Sequence, residues 1–226
     1  MKTSFVYCLL LSVIFFSCQE ENMTDVNKDI ITKIDCPQAF TTNPPNWSLE
    51  TIYIPDPNFE RFLSKFDSDK KVNGKISMAD ALKIDSVQLF GAGDVELDRK
   101  ANVNNLQGIE YFKNLKYLNC IGTEIDVLDL RFNTKLEVLQ FFGFSSGAGR
   151  SYSQGKVIVL GENEYLKKIS FGGTFFSELD LRGIKNLNTL DVTGNYYTLK
   201  TIYISNPNAI KTTWQKPNAC VYAVCK

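Results

Sequence analysis

The chain has 226 residues, enough for one ordinary domain or for an elongated repeat array with an appendage. Hydrophobic residues make up 44% and charged residues 22%, a globular balance that excludes wholesale disorder. The 25 basic and 25 acidic residues cancel, leaving no basic footprint for nucleic acid, and the absence of histidine removes Ser-His-Asp and Cys-His nucleophiles, histidine metal ligands and histidine pH switches together.

The chain opens MKTSFVYCLLLSVIFFSCQEEN, with one early Lys2 and an apolar run from Phe5 to Phe16. That run is much shorter than the ~20 residues a membrane-spanning helix needs, so residues 1–17 read as a signal peptide. The ending FFSC resembles a bacterial lipobox, with small Ser17 before the acceptor Cys18, although Phe15 stands where leucine is usual. The resemblance implies lipidation of Cys18, and acyl chains at ~0.8 kcal/mol per buried CH₂ would then hold the protein on a membrane. The acidic QEEN beyond it resembles the export signal of Bacteroides-type lipoproteins, which implies the outer membrane and the cell surface as the location. Residues 18–50 lack sustained periodicity, and TTNPPN cannot continue a helix or a central strand, so they read as a tether.

In IPDPNFERFLSKFD, Phe59, Phe62, Leu63 and Phe66 fall on one helical face, and Asp56-Pro57 suits an N-cap and first helical position. A second helix is expected from Ser77, with Asp80 completing a capping box and Met78, Ala81 and Leu82 as its apolar side. Residues 51–100 are therefore expected to form a small helical N-terminal cap.

A hybrid pattern follows that suits neither a simple helix nor a simple strand, L-x-x-L-x-Φ, where Φ is apolar. It starts at Leu115, Leu136, Leu166, Leu187 and Leu199, at intervals of 21, 30, 21 and 12 residues. Between the copies lie LDL at 128–130, IVL at 158–160 and LDL at 179–181, each in phase with the next start. Such a period marks a leucine-rich-repeat solenoid over residues 101–205, each coil burying its leucines against its neighbour. The expected fold is an α/β solenoid with one short parallel strand per coil, a largely irregular convex side, and a C-terminal cap at 206–226. The 30-residue interval carries a Gly- and Ser-rich insertion at 143–156, expected to bulge from one face.

The segments IPDPNFERFL, NGKISMADAL, LQGIEYFKNLKYLNC and LDLRFNTKLEVLQF resemble the internalin-like leucine-rich-repeat surface lipoproteins of Bacteroides-type bacteria. The resemblance implies a binding scaffold rather than an enzyme, with protein or glycan ligands. In that family the segment before the repeats often resembles a calcium loop, and here Asp69, Asn73, Ser77 and Asp80 fall at ligand positions aligned on Gly74. Lys71 puts a positive charge where an oxygen should be and Asp80 is shorter than the usual Glu, so no calcium is expected and no other cofactor is called for.

After Cys18 four cysteines remain, Cys36, Cys120, Cys220 and Cys225, which allow three full pairings. Cys120 falls at an inward repeat position and reads as a buried thiol, while CVYAVC suits a local Cys220–Cys225 bridge. Asp129 and Asp180 could serve a glycosidase only at ~5–9.5 Å separation, and their equivalent places in two LDL elements read instead as a repeat feature. With the fourth and sixth residues of each motif inward, the alternate residues face outward on a concave sheet. The candidate ligand-binding residues are Tyr117, Asn119, Ile121, Val138, Gln140, Phe142, Lys168, Asp191 and Tyr203. The expected function is a cell-surface, non-enzymatic module for protein interaction or adhesion; the alternatives are an envelope-assembly lipoprotein or a polysaccharide-capture accessory.

Overall fold

In a computed structural model of the chain, residues 31–34, 43–90, 102–146, 150–152, 155–195 and 197–225 are described. The signal peptide, Cys18 and Cys36 lie outside them. After strand β1 (Ile31–Ile34) comes the cap, made of β2 (Thr51–Tyr53), helix α1 (Pro57–Leu63), β3 (Lys75–Ser77) and helix α2 (Met78–Ala81). Asp56 caps α1 by accepting the Asn58 and Phe59 amides through Oδ1, both at 2.9 Å, with Pro57 at the first helical position. Its Oδ2 takes the amides of Asn104 and Asn105 at 2.7 and 3.1 Å, so one buried carboxylate ties the cap to the chain entering the repeats. The helix stops at Leu63, one turn earlier than the periodicity predicts, and Phe66 instead stacks on Phe62 with 37% of its surface exposed.

The predicted calcium-loop residues are engaged with one another. Asp80 accepts from Ser68 N and Oγ, from Ser77 Oγ and from the Lys83 ammonium, at 2.8 to 3.0 Å. Asp69 accepts Lys71 N and Asn73 Nδ2, and buried Glu60 Oε1 collects the amides of Asn73, Gly74 and Lys75. Ser77 Oγ in turn accepts the Asp80 amide as the N-cap of α2. Donors occupy both Asp80 oxygens, and an ammonium lies where a cation would have to approach, so these residues do not fit a calcium site.

The repeats then alternate between two faces. Strands β4 (Ser86–Phe90) and β5 (Tyr117–Ile121) are followed by β6 (Val127–Asp129) on the opposite face and β7 (Val138–Phe142) back on the first. A hairpin of β8 (Phe144–Ser146) and β9 (Arg150–Tyr152) occupies the insertion. Then β10 (Val157–Val159), β11 (Lys168–Gly172), β12 (Glu178–Asp180), β13 (Thr189–Gly194), β14 (Thr201–Ile204), β15 (Trp214–Gln215) and β16 (Val221–Cys225) continue the alternation. The front is one six-stranded sheet in the order β15-β13-β11-β7-β5-β4. Every pairing in it is parallel. The rear carries β6-β10 and, separately, β12-β14-β16-β1. The convex side is thus not largely irregular, because Leu128-x-Leu130 and Leu179-x-Leu181 alternate inward as strands do.

Inward side chains of both faces meet in one core. Leu118, Leu139, Ile169 and Leu190 of the front face Leu128, Leu179, Ile202 and Tyr222 of the rear, and all are at most 1% exposed. Leu115, Leu136, Leu166 and Leu187, the first residues of their motifs, are equally buried and close the corner before each front strand. Corner backbone groups are satisfied by asparagines. Asn133 Nδ2 donates to Ile109 O, Asn163 Nδ2 donates to Asn133 O, and Asn195 bonds Phe171 O and Thr174 N one coil back.

Three expectations change in register. The repeat sheet begins with β4, inside residues 51–100, and residues 206–226 add a further coil through β15 and β16. The 18–50 tether is partly folded in, since β1 pairs β16 and Trp47 sits edge-on to Tyr111 under the Lys113 ammonium. The Leu199 motif lies on the rear sheet, as β14, in step with LDL rather than with the front strands.

Cys220 and Cys225 do not bridge each other: Cys220 is a buried thiol and Cys225 is disulfide-bonded elsewhere. An extended strand separates residues five apart by about 16 Å, whereas a bridge needs Cα atoms within about 7 Å. Burial also holds the Cys120 thiol protonated, raising its pKa well above the usual value. Alkylation of the denatured, unreduced chain is expected to label Cys120 and Cys220 and to spare Cys225, read by peptide mass spectrometry. The Lys83 ammonium, together with the Ser68 and Ser77 donors, holds the Asp80 carboxyl well below the usual carboxylate range. Its stabilising contribution is therefore full above about pH 4 and fades as the pH falls through that range towards the lower folded value. Asp80→Asn is expected to cost about 2 kcal/mol at pH 7 by thermal or urea denaturation, with the deficit shrinking below about pH 4.

Candidate functional site

The front sheet offers the broadest ordered surface, and its register fixes what stands beside what. Parallel, in-register pairing places Gln88, Asn119, Gln140, Ser170, Asp191 and Gln215 in a single row across the sheet. Neighbours in such a row are about 4.8 Å apart, so amide, hydroxyl and carboxylate groups follow one another at a regular spacing. On one side of this row run Ser86, Tyr117, Val138, Lys168 and Thr189. On the other run Phe90, Ile121, Phe142, Gly172 and Gly194, the last brought into line by a register shift in β13.

Each row has its own chemistry. Tyr117 donates its hydroxyl to Gln140 Oε1 at 2.5 Å, bracing two adjacent coils. Asp191 Oδ1 accepts from the Thr193 amide and hydroxyl at 3.2 and 2.7 Å, which orients the carboxylate. Asn119 is buried to 6% exposure, and its Oδ1 takes no hydrogen bond among the described residues. Lys168 stands exposed, within reach of an acidic group on a partner. The third row starts with Phe90, 52% exposed, and passes to half-buried Ile121 and Phe142. It ends in glycine because there is no room for more: a Cβ on Gly194 would lie 2.8 Å from the Gly172 Cα, and one on Gly172 would lie 3.1 Å from the Phe142 ring. The result is an apolar ridge running down to a smooth backbone floor, beside a polar row.

Of the residues expected on this face, Tyr117, Asn119, Ile121, Val138, Gln140, Phe142, Lys168 and Asp191 lie together on the front sheet. Tyr203 does not. It belongs to β14 on the rear, 5% exposed, where burial and the neighbouring Glu178 carboxylate raise its hydroxyl pKa. The LKTIYI motif that suggested it is in the phase of the rear strands. Gln88, Phe90 and Gln215 were not foreseen, yet Ile84, Val87 and Leu89 repeat the motif with other aliphatic residues, a signal that a leucine-only template passes over. Asp129 and Asp180 face their own arginines, Arg131 and Arg182, at 2.5 and 2.6 Å, as repeated structural ion pairs on the rear. That bidentate geometry occupies both carboxylates and leaves neither poised for acid–base work.

No family model matches the chain, and no curated protein matches it. Among solved structures, an internalin from Listeria monocytogenes str. 4b F2365 is similar at 16% sequence identity and a TM-score of 0.41. The match covers 76% of this chain and 56% of that one, so the chain spans a little over half that structure's length. The leucine-rich-repeat arrangement itself is defined by this chain's own strand register and buried L-x-x-L-x-Φ positions.

The pleat gives a paired test of which residues face out. Lys168→Glu is expected to change stability by no more than about 0.5 kcal/mol in urea denaturation, and Gln140→Ala, which removes the acceptor of the Tyr117 hydroxyl, by about 1 kcal/mol. Leu139→Ala, next to Gln140 but inward, is expected to cost about 3 kcal/mol.

Proposed function

We propose that the protein is a non-enzymatic binding module for a protein ligand, displayed on the outer face of a bacterial outer membrane by lipid attached to Cys18. The observation that carries the reading is the row Gln88–Gln215, six polar side chains in register across the front sheet, with the apolar Phe90, Ile121 and Phe142 alongside. A partner laid across it finds the accessible polar groups of Gln88, Gln140, Asp191 and Gln215 and an aromatic ridge to bury, the combination of polar contacts and aromatic anchors that recognition surfaces use. Nearly all of the scaffold beneath is fixed by core packing, so little conformational entropy is lost when a ligand docks. Supporting the anchor are the short apolar run that ends at Ser17-Cys18 and the acidic residues after it.

Two experiments test the two halves separately. Metabolic labelling with palmitate is expected to tag the wild-type chain in its native type of host and to leave Cys18→Ser unlabelled. Cross-linking of cells displaying the protein is expected to capture a protein ligand that is lost in a Gln88→Ala, Lys168→Glu double variant of unchanged thermal stability, both residues being exposed. Capture that survives the double variant would move the site off the front sheet.

A further inference from the structure

The rear face is interrupted at one place. β10 pairs only β6, and β12 pairs only β14, although the two strands belong to consecutive coils. The coils stay joined on either side of the break, through Phe175 N to Gly155 O at 3.1 Å and Asn163 N to Gly183 O at 3.2 Å. At the second junction the backbones touch so closely that a Cβ on Gly183 would lie 2.3 Å from Gly161 O. Between the junctions the sheet opens into a cavity of about 500 Å³.

The groups facing this slot follow from the ladder. In a parallel sheet, alternate residues of a strand bond to alternate neighbours. Val157 N bonds Asp126 O and Val159 O accepts Leu130 N, so the odd residues of β10 serve β6. The N–H and C=O of Ile158 and Leu160 therefore face the slot. On the other side, Ser177 O accepts Thr201 N and Leu181 N bonds Tyr203 O, which turns the N–H and C=O of Glu178 and Asp180 towards the slot. Two strand edges thus confront each other with no hydrogen bond between them among the described residues. The inward residue at this place is also the exception in the core: Ile158 is half-buried, whereas its counterparts Leu128, Leu179, Ile202 and Tyr222 are at most 1% exposed.

We infer that this slot binds an extended peptide segment of a partner protein as an added strand between β10 and β12, with basic residues facing outward and an apolar residue facing Ile158. Alternating donors and acceptors along both sides are what an extended backbone carries, and no compact small molecule supplies them to two edges at once. The pleat then sets the side chains. The inward residue of the guest falls between Ile158 and Leu179 and completes the core there. Its outward neighbours fall between Val157 and Glu178 and between Val159 and Asp180. Arg131, Arg182 and Lys156 at the rim are each already bridged to an aspartate, while Glu162 and Glu178 stand exposed, so the rim favours cationic guests. The same rear sheet already holds one added strand, since β1 from the chain's N-terminal segment lies parallel on the outer edge of β16.

This surface is distinct from the front row, and the test separates the two. The probe is a fluorescein-labelled acetyl-Lys-Val-Lys-Val-Lys-amide, titrated into the full chain by anisotropy, with amide hydrogen exchange of Ile158, Leu160, Glu178 and Asp180 followed in parallel. Saturable binding is expected, with those four amides exchanging fast in the free chain and protected at least tenfold by the peptide. Glu178→Pro removes an N–H that no strand of the protein uses, so it is expected to weaken binding at least tenfold relative to Glu178→Ala, which loses the same carboxylate, at matching thermal stability of the two free variants. Methylating the backbone amides of both valines of the peptide is expected to do the same, and the front variant Gln140→Ala is expected to bind the peptide normally. Absence of saturable binding, equal binding by Glu178→Pro and Glu178→Ala, or amides already protected in the free chain would each overturn the proposal, the last meaning that the protein fills its own slot.

Discussion

Everything in this structure depends on two short strands per coil sharing a single core. Neither sheet is self-sufficient: a front strand such as Val138–Phe142 offers only Leu139 and Phe141 inward, and a rear strand such as Glu178–Asp180 offers only Leu179 between its ends. Apart from half-buried Ile158, the inward apolar side chains of strands inside the stack find full burial because the opposite strand and both neighbouring coils close over them. The turns between the faces would otherwise bury unpaired backbone groups, and Asn133, Asn163 and Asn195 reach from one coil to the previous one to satisfy them. Stacking, burial and corner hydrogen bonds are therefore one cooperative arrangement.

That dependence explains a division of labour between the faces. The front sheet is unbroken over six strands, and its outward rows can be continuous only because every pairing keeps register, the β13 shift apart. The rear absorbs the irregularity of the chain. The β8–β9 hairpin enters immediately before β10, and the residue at the corner is Gly155, where the flanking coils place buried Ile125 and Phe176. A Cβ on Gly155 would lie 2.5 Å from the Phe141 ring, so Phe141 fills the space that a rear side chain fills elsewhere. The coil with the insertion thus contributes less from its rear and more from its front, and it is this coil whose rear strand parts from the next.

The sequence was legible where one residue type marks one geometric role. Leu115, Leu136, Leu166 and Leu187 announce the front strands because the corner needs a branched aliphatic side chain at a fixed distance before each strand. Phase was harder to read. Ile125, Leu128 and Leu130, then Phe176, Leu179 and Leu181, then Leu199, Ile202 and Ile204 write the same spacing for the rear face, starting ten to twelve residues after the front copy. A short interval such as that from Leu187 to Leu199 is half a coil, which is why Tyr203 belongs to the other sheet. The Cys220–Cys225 pairing misled for a different reason: proximity in sequence means proximity in space only across a turn, and these residues are drawn apart by an extended strand. Nothing in composition marks the rear slot, because a missing hydrogen-bond ladder leaves no residue signature of its own.

An uncovered strand edge invites unwanted pairing, and proteins blunt it by shortening or covering. At the C-terminal end of the stack that has been done: the front sheet ends in the two-residue β15, and the rear edge of β16 is covered by β1. The edges of β10 and β12, by contrast, face each other inside the stack, held open by paired junctions at both ends and too enclosed to recruit a whole second sheet. Pairing there is restricted to something as narrow as one strand. A fold that blunts its C-terminal edges while leaving an inner pair without a strand partner limits aggregation and retains selectivity, since the junctions at both ends and the chemistry of the rim together decide what can enter.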